Sequence, residues 1–295
     1  MTSFATATTV DEALAALAQG GKVVAGGTDL VVGARQGKAP LPDALVAIHR
    51  LSELHAIDDA SGALRLGALV THAEIAAHPA IRERFTALAD ASAIVGSHAT
   101  RAHGTIGGNL MNASPAMETG GPLVCLGATA TLRSLGGTRS VPVEELFTGP
   151  GATAASPEEL LVSVDVPEPA PGTGSAYVRL EYRRQMEIAV VGATAVVTLA
   201  DGRVQDARIA ITALAPTIRR VPGAEAALAG GEADEASIVA AAREAAAAST
   251  PISDVRASER YRRAMAEVMG RRAVEIAVAR ARGTSVPVPA SGAGS

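Results

Sequence analysis

The chain has no tryptophan, three tyrosines and three phenylalanines, so aromatic residues make up 2% of its 295 positions. So few rings leave little to stack on bases, and a net charge of −4 with mixed signs offers no basic stripe. Nucleic-acid binding is disfavoured on both counts. There is one cysteine, Cys125, in the apolar run Leu123-Val-Cys-Leu126, which reads as a buried, inert thiol. A lone thiol cannot hold an iron–sulfur cluster, which takes four ligands, usually cysteines. The histidines His49, His55, His72, His78, His98 and His103 form no H-E-x-x-H or other tight grouping, and no metal site is expected. Neither a G-x-S-x-G elbow nor a Cys–His pairing supports hydrolase chemistry. The longest nearly apolar run, residues 189–200, is shorter than the roughly 20 residues needed to span a bilayer. The start, Met1-Thr-Ser-Phe-Ala-Thr6, lacks a basic signal-peptide region, so a cytoplasmic location is expected.

What is present is apolar bulk and glycine. A hydrophobic content of 48% fills the cores of two or three domains. Two glycine-rich loops stand out: Val24-Ala-Gly-Gly-Thr-Asp-Leu30, and the stretch from His103 through Gly104-Thr-Ile-Gly-Gly-Asn109 to Glu118. A glycine pair exposes backbone amides with no side chain in the way, and consecutive amides in a tight turn form a concave anion nest. Thr28, Thr105 and Asn109 add side-chain hydrogen-bonding capacity. Two such loops suit one extended ligand, such as a dinucleotide held from both sides of its pyrophosphate.

The pattern around them is mixed α and β. Thr9-Val-Asp-Glu12 is a capping box opening a helix that Gly20-Gly21 stops. A strand at residues 22–25 runs into the first loop, Thr28 or Asp29 caps a second helix ending near Gly37, and residues 44–48 read as the next strand. Short strands at residues 55–58 and 64–67 flank Ser61-Gly62, and a second capping box, Thr71-His-Ala-Glu74, opens a helix ending near Pro79. Ser114 is placed to cap a helix with Pro115 first and Glu118 in its first turn. Strands are expected at residues 128–132 and 160–166, then a Pro/Gly-rich linker at 167–174. Strands at residues 188–199 and 204–214 flank the hairpin signal Asp201-Gly202. Helices at residues 236–248 and 258–282 follow, the second with an arginine-rich, solvated face, and the tail from Gly283 is expected to be disordered. Gly149-Pro-Gly-Ala-Thr-Ala154 fits a dinucleotide fingerprint by letter only, because no βαβ unit surrounds it. Gly33-Ala-Arg-Gln-Gly-Lys38 is too short for a P-loop, with Ala39 where a metal-binding hydroxyl is needed.

Thr105-Ile-Gly-Gly-Asn109 with Ala113-Ser-Pro115 resembles the second FAD-binding loop of the flavoprotein subunit of molybdenum hydroxylases, the xanthine dehydrogenase and carbon monoxide dehydrogenase family. The resemblance is collinear through Ala25-Gly-Gly-Thr-Asp29, Phe147-Thr-Gly-Pro150, Pro157-Glu-Glu-Leu-Leu161, Arg183-Arg184, Pro251 to Ser258 and Tyr261-Arg-Arg263. It implies an α+β chain of PCMH-type FAD-binding fold: two α/β subdomains, residues 1–53 and 54–168, then an antiparallel sheet-and-helix domain, residues 175–282. Residues 283–295 would form the tail.

It also implies a site. Lys22, Val24, Ala25, Gly26, Gly27, Thr28, Asp29 and Leu30 match the first flavin loop in order and spacing. Gly104, Thr105, Ile106, Gly107, Gly108 and Asn109 match the second, and would face the pyrophosphate. Asn112, Ser114 and Glu118 would bind ribityl or ribose hydroxyls, with a first-turn helix charge as the other reading of Glu118. The family's usual residue there is Asp, one methylene shorter. Leu161 belongs to a matching strand. Arg179 and Glu187 stand where the family has a Lys near the flavin and an acid, keeping charge but not geometry. No His lies in the first loop to tether flavin, so a noncovalent FAD is expected. No residue is assigned a catalytic role.

The implied function is an oxidoreductase subunit that carries electrons. A small partner with two [2Fe–2S] clusters would pass electrons from a large molybdopterin subunit to this chain's FAD, and an external acceptor such as NAD would take them. A xanthine dehydrogenase-like heterotrimer is expected, with purines as leading substrate. A self-sufficient flavin oxidoreductase on the same fold and a flavin-binding module without turnover are the alternatives.

Overall fold

The computed structural model describes residues 2–37, 40–59 and 62–291. Its three larger sheets divide the chain. The first segment runs β1 (Ser3–Thr6), α1 (Val10–Ala18), β2 (Lys22–Val24), α2 (Leu30–Arg35) and β3 (Ala44–Ala47), with a parallel sheet in the order β1-β3-β2. Helix α1 starts as expected, the Thr9 hydroxyl accepting from the Glu12 amide. Glu12 reaches one residue further back than in a capping box, accepting from the Thr8 amide at 2.7 Å and the Thr8 hydroxyl at 2.9 Å. Leu14 and Leu17 bury the apolar stripe, and Gly20, at φ +84°, ends the helix. The first glycine loop leaves the carboxyl end of β2, where sheets of this kind bind ligands. Asp29 precedes α2 but makes no side-chain cap bond, and no residue of α2 is buried. Strand β1 had no sequence signal of its own. Lys38, Ala39 and Ser61, which bear on two of the expected motifs, lie outside the described residues.

The second segment holds β4 (Ile57–Asp58), β5 (Ala63–Gly67), α3 (His72–Ala77), α4 (Pro79–Arg84), α5 (Thr86–Ile94), α6 (His98–His103), α7 (Ile106–Asn112) and α8 (Gly120–Cys125). It continues through β6 (Thr129–Ser134), β7 (Gly137–Pro142), α9 (Val143–Leu146), β8 (Phe147–Gly149), β9 (Ala152–Thr153) and β10 (Leu160–Pro167). The main sheet is antiparallel, ordered β4-β5-β10-β6-β7. The second capping box is complete: Thr71 accepts from the Glu74 amide, and Glu74 accepts from the Thr71 amide. Gly149 to Ala154 spans the small β8–β9 hairpin. The helix expected from Pro115 is absent: residues 114–119 form turns, and α8 begins at Gly120. The Pro115 carbonyl accepts the Ala213 amide at 2.8 Å, so it starts no helical ladder. Cys125 is buried, and burial pushes its thiol up, as an inert side chain requires.

The third segment contains β11 (Thr173–Leu180), β12 (Val191–Ala200), β13 (Arg203–Thr212), β14 (Arg219–Arg220), α10 (Pro222–Leu228), α11 (Glu235–Ala247) and α12 (Glu259–Ala281). Its strands form an antiparallel sheet in sequence order. Asp201 and Gly202 both take positive φ, 51° and 76°, the pattern of a type I′ hairpin. The two faces of the sheet differ. Val178, Ala193, Ala195, Val197, Ile209 and Ile211 share a core with Ala241, Ala245, Ala273 and Ala277 of α11 and α12. The opposite face carries Ser175, Tyr177, Arg179, Thr194 and Thr212, all buried, toward the second segment.

Two expectations change here. Arg260, Arg263 and Arg271 on α12 are exposed, as a solvated face requires, but the side chains of Arg262 and Arg280 are buried: Arg262 donates to the Val190 carbonyl at 2.7 Å and Asp254 at 2.8 Å, and Arg280 pairs with Asp90 at 2.6 Å. The segment after Gly283 is packed as far as Ala290, whose amide donates to Asp90 at 2.8 Å. Asp90 collects these donors and the Tyr177 amide at 3.2 Å, so one buried carboxylate ties α5 to β11, α12 and the tail.

Candidate functional site

The two glycine loops meet. A Cβ on Gly26 would lie 1.8 Å from the His103 carbonyl oxygen, and one on Gly104 would lie 3.6 Å from the Thr28 hydroxyl. Gly26 is therefore needed for contact between loops, while Gly27, at φ +69°, is needed for the turn. Among the described residues, the backbone amides of residues 26–30 meet no acceptor, and neither does the Thr28 hydroxyl. This run is the donor set expected of an anion cradle.

The second loop behaves differently from expectation. Its amides are already used within the protein: Ile106 donates to the Val70 carbonyl, Gly107 to Ala68 and Asn109 to Thr105, each at 2.9 Å. Gly108 donates to the Thr105 hydroxyl at 3.0 Å. The paired glycines also part company. A Cβ on Gly107 would sit 2.6 Å from the Ala68 carbonyl oxygen and 2.8 Å from the Ala68 Cβ, so this glycine lets α7 pack on the chain after β5. Gly108 is exposed, and a Cβ there would meet only the Thr105 hydroxyl, at 3.0 Å. The first loop supplies free donors, and the second supplies a bare, open Cα.

The other expected residues divide by position. Lys22 is exposed on β2, and Val24, Ala25 and Leu30 are half-buried around the first loop, with Asp29 among the exposed residues although burial raises its carboxyl. Ile106 and Leu161 are buried in one core, so their roles lie in packing beneath α7. Asn109 accepts from the Thr119 hydroxyl at 2.5 Å, Asn112 is exposed at the end of α7, and Ser114 accepts from the Ala116 amide at 3.3 Å.

Glu118 and Arg179, 61 positions apart, are brought together: Arg179 donates to Glu118 at 2.5 Å, with the Arg179 side chain fully buried. Arg179 also grips Glu181 through two nitrogens, and reaches the Glu187 carbonyl at 3.4 Å. The guanidinium fork is thus committed to two carboxylates. Burial raises the Glu118 carboxyl to about 7, against the opposing pull of Arg179. Because no helix starts at Pro115, a first-turn helix charge does not explain Glu118. The Glu187 carboxylate pairs with Arg183 at 3.4 Å, not with Arg179.

Two neighbours carried no sequence signal. Arg101 is buried at the foot of the second loop, donates to the Val95 carbonyl at 2.9 Å, and has no carboxylate partner among the described residues. His72 is buried beneath Gly104, and burial followed by the Arg101 charge lowers it to about 4, so its ring is neutral. The described residues hold no cluster of His, Cys, Asp and Glu suited to a metal, and no helix long and apolar enough to cross a membrane.

A run of acceptor-free amides closed against a glycine surface, with buried positive charge nearby, is the arrangement an anionic cofactor needs. Residues 1–169 match the FAD binding domain in molybdopterin dehydrogenase, and residues 176–277 match the CO dehydrogenase flavoprotein C-terminal domain. Similar proteins include the 6-hydroxypseudooxynicotine dehydrogenase complex subunit alpha of Paenarthrobacter nicotinovorans, 33% identical over 95% of this chain and 96% of that one. The putative xanthine dehydrogenase FAD-binding subunit of Escherichia coli K12 is 29% identical over 95% and 97%. A chain of a carbon monoxide dehydrogenase from Hydrogenophaga pseudoflava, which lacks the Mo-pyranopterin moiety of the molybdenum cofactor, superposes with a TM-score of 0.91. It is 32% identical, over 95% of this chain and 98% of that one. The chain belongs to the FAD-binding subunits of the molybdenum hydroxylases, and is an oxidoreductase subunit. The residues present fit that cofactor, since five consecutive amides without acceptors suit a pyrophosphate.

Proposed function

We propose that this chain holds FAD noncovalently between its two glycine loops and passes electrons through it. The observation that carries the reading is the acceptor-free run of amides at residues 26–30, closed against the second loop at Gly26 and His103. In this arrangement the first-loop amides and the Thr28 hydroxyl hold the pyrophosphate, and Gly108 gives the closest backbone approach. Asp29 contributes through its amide, because a carboxylate would repel phosphate. Asn112, Ser114 and Glu118 face sugar and ribityl hydroxyls, with Arg179 fixing the Glu118 carboxylate. When bound, FAD supplies a carrier that accepts electrons singly and releases them in pairs. The chain's own contribution is binding, orientation and potential.

Electrons reach the site from iron–sulfur clusters on a small partner subunit, because one buried cysteine cannot supply cluster ligands here. A large molybdopterin subunit completes a cytoplasmic heterotrimer and oxidises the organic substrate. A purine is the proposed substrate, supported by the similarity to a xanthine dehydrogenase subunit. Acid precipitation should release yellow flavin into the supernatant; flavin retained in the denatured pellet would refute the noncovalent assignment. Stopped-flow absorbance at the flavin band should show hypoxanthine-dependent bleaching only after reconstitution with both partners. Bleaching of the isolated chain by substrate would identify a self-sufficient oxidoreductase instead.

A further inference from the structure

Three arginines with buried side chains each hold a carboxylate: Arg179 pairs with Glu118 and Glu181, Arg262 with Asp254, and Arg280 with Asp90. Arg101, in the last turn of α6 and 9% exposed, holds none among the described residues. Its two bonds go to the Val95 carbonyl at 2.9 Å and to His98 Nδ1 at 3.1 Å, and neither acceptor carries negative charge. Burial and then the like charge of Arg179 work against this cation. A buried guanidinium without a counter-charge is costly, so its surroundings point to an anion that comes from outside the chain.

The position of Arg101 says which anion. It stands three residues before Gly104, where the two glycine loops approach each other. A Cβ on Gly104 would lie 3.6 Å from the Thr28 hydroxyl and 3.4 Å from Cδ2 of His72. The field of Arg101 reaches that point, since burial and then the Arg101 charge lower His72 to about 4. The first loop, residues 24–30, contains Asp29 but neither Lys nor Arg, so it has no cation of its own. Its backbone amides offer a diphosphate only partial charges.

We propose that Arg101 is the fixed counter-charge of the cofactor's pyrophosphate, acting on it through the protein interior from the foot of the second loop. The inference rests on the placement of FAD between the two loops, and adds a charge to the amides already assigned there. Val95 and His98 hold the guanidinium in place without neutralising it. A carboxylate in their position would cancel the charge that the pyrophosphate meets.

The test is a flavin-fluorescence titration of the full apoprotein as wild type, Arg101→Gln and Arg101→Lys. Arg101→Gln keeps an N–H donor but no charge, and should weaken FAD by about 10–100-fold while the apoprotein melts within about 2 °C of wild type. Arg101→Lys keeps the charge without the fork, and should bind FAD within about threefold of wild type. The pyrophosphate is charged in both redox states, so oxidised and reduced FAD should lose affinity equally in Arg101→Gln, leaving the potential of the bound flavin unmoved. A loss confined to reduced FAD would assign the charge to the flavin ring and overturn the proposal. Equal losses in the Gln and Lys variants, both with lowered melting temperatures, would make Arg101 a brace for the turn at Val95 and overturn it as well. If wild type and Arg101→Gln bind FAD equally well, this proposal falls and the placement of FAD stands; a wild-type chain that takes up no FAD overturns both.

Discussion

Gly107 and Gly108 are adjacent and chemically identical, yet they should fail in different ways. At Gly107, an alanine would place its Cβ 2.6 Å from the Ala68 carbonyl oxygen, the acceptor of the Gly107 amide, and 3.1 Å from the Ala68 Cα. These are backbone atoms, so relief requires α7 to lift from the strand-end segment beneath it. Overpacking of that kind costs about 1–3 kcal/mol, which for a chain of this size lowers the melting temperature by about 2–10 °C. At Gly108 the only neighbour is the Thr105 hydroxyl at 3.0 Å, and helical backbone favours alanine over glycine by up to about 1 kcal/mol. Gly108→Ala should therefore melt at or slightly above the wild-type temperature. Gly108→Val, which covers the open Cα, should weaken FAD by about 10–100-fold by keeping phosphate from the backbone. Melting curves of the apoprotein and flavin-fluorescence titrations separate the two effects. The reasoning fails if Gly107→Ala melts like wild type, or if Gly108→Val binds FAD with unchanged affinity.

Stability should also depend on pH through His72. Its folded value, about 4, lies below the ordinary 6.5, so its contribution is intact above pH 6.5 and is lost as pH falls through 4. The loss approaches about 3 kcal/mol. Glu118 works in the opposite sense, its value raised to about 7 making the native state less favoured as pH rises from 4.5 through 7. Urea unfolding at stepped pH should show His72→Leu flattening the acid limb; an unchanged limb would remove His72 from the account. Asp90→Ala should destabilise by about 3–5 kcal/mol, because it strands the Arg280 guanidinium and the amides of Tyr177 and Ala290. A loss below about 1 kcal/mol in equilibrium unfolding would contradict that assignment.

The elements that were legible in the chain are those whose signals are local. Thr9 and Thr71 cap helices from three residues away, and Asp201-Gly202 makes its hairpin with no help from elsewhere. The glycine loops were legible as loops for the same reason. Which of the paired glycines is packed and which is open was not, because Ala68 decides it, and Ala68 meets Gly107 only once β5 and α7 are packed. Glu118 shows the limit most clearly. Ser114-Pro115 reads as a helix start, but Ala113 takes a left-handed φ of 45° and the C-terminal segment claims the Pro115 carbonyl. The carboxylate is then aimed at Arg179, a partner that no periodicity could name. Arg262 and Arg280 of α12 were hidden similarly, since a charged side chain on a helix reads as solvated until a buried Asp90 or the Val190 carbonyl is known to lie opposite.

The alternation along β11 explains why these long-range pairs matter to the site. Ala176 and Val178 point into the apolar core with α12, whereas Ser175, Tyr177 and Arg179 point at the FAD-binding segment. An apolar interface would tolerate sliding, because hydrophobic burial is non-directional. Here the contact is fixed by directed bonds at both ends of the strand's buried run: Ser175 and the Arg280–Asp90 pair on one side, Arg179–Glu118 on the other. Buried ion pairs return little net stability against a well-packed apolar alternative, so their value lies in allowing one arrangement and penalising its neighbours. A shift of β11 by two residues would part Arg179 from Glu118 and take the Tyr177 amide away from Asp90. The C-terminal domain is thereby held in the one register that sets Arg179 against Glu118, within the turn that follows the second glycine loop.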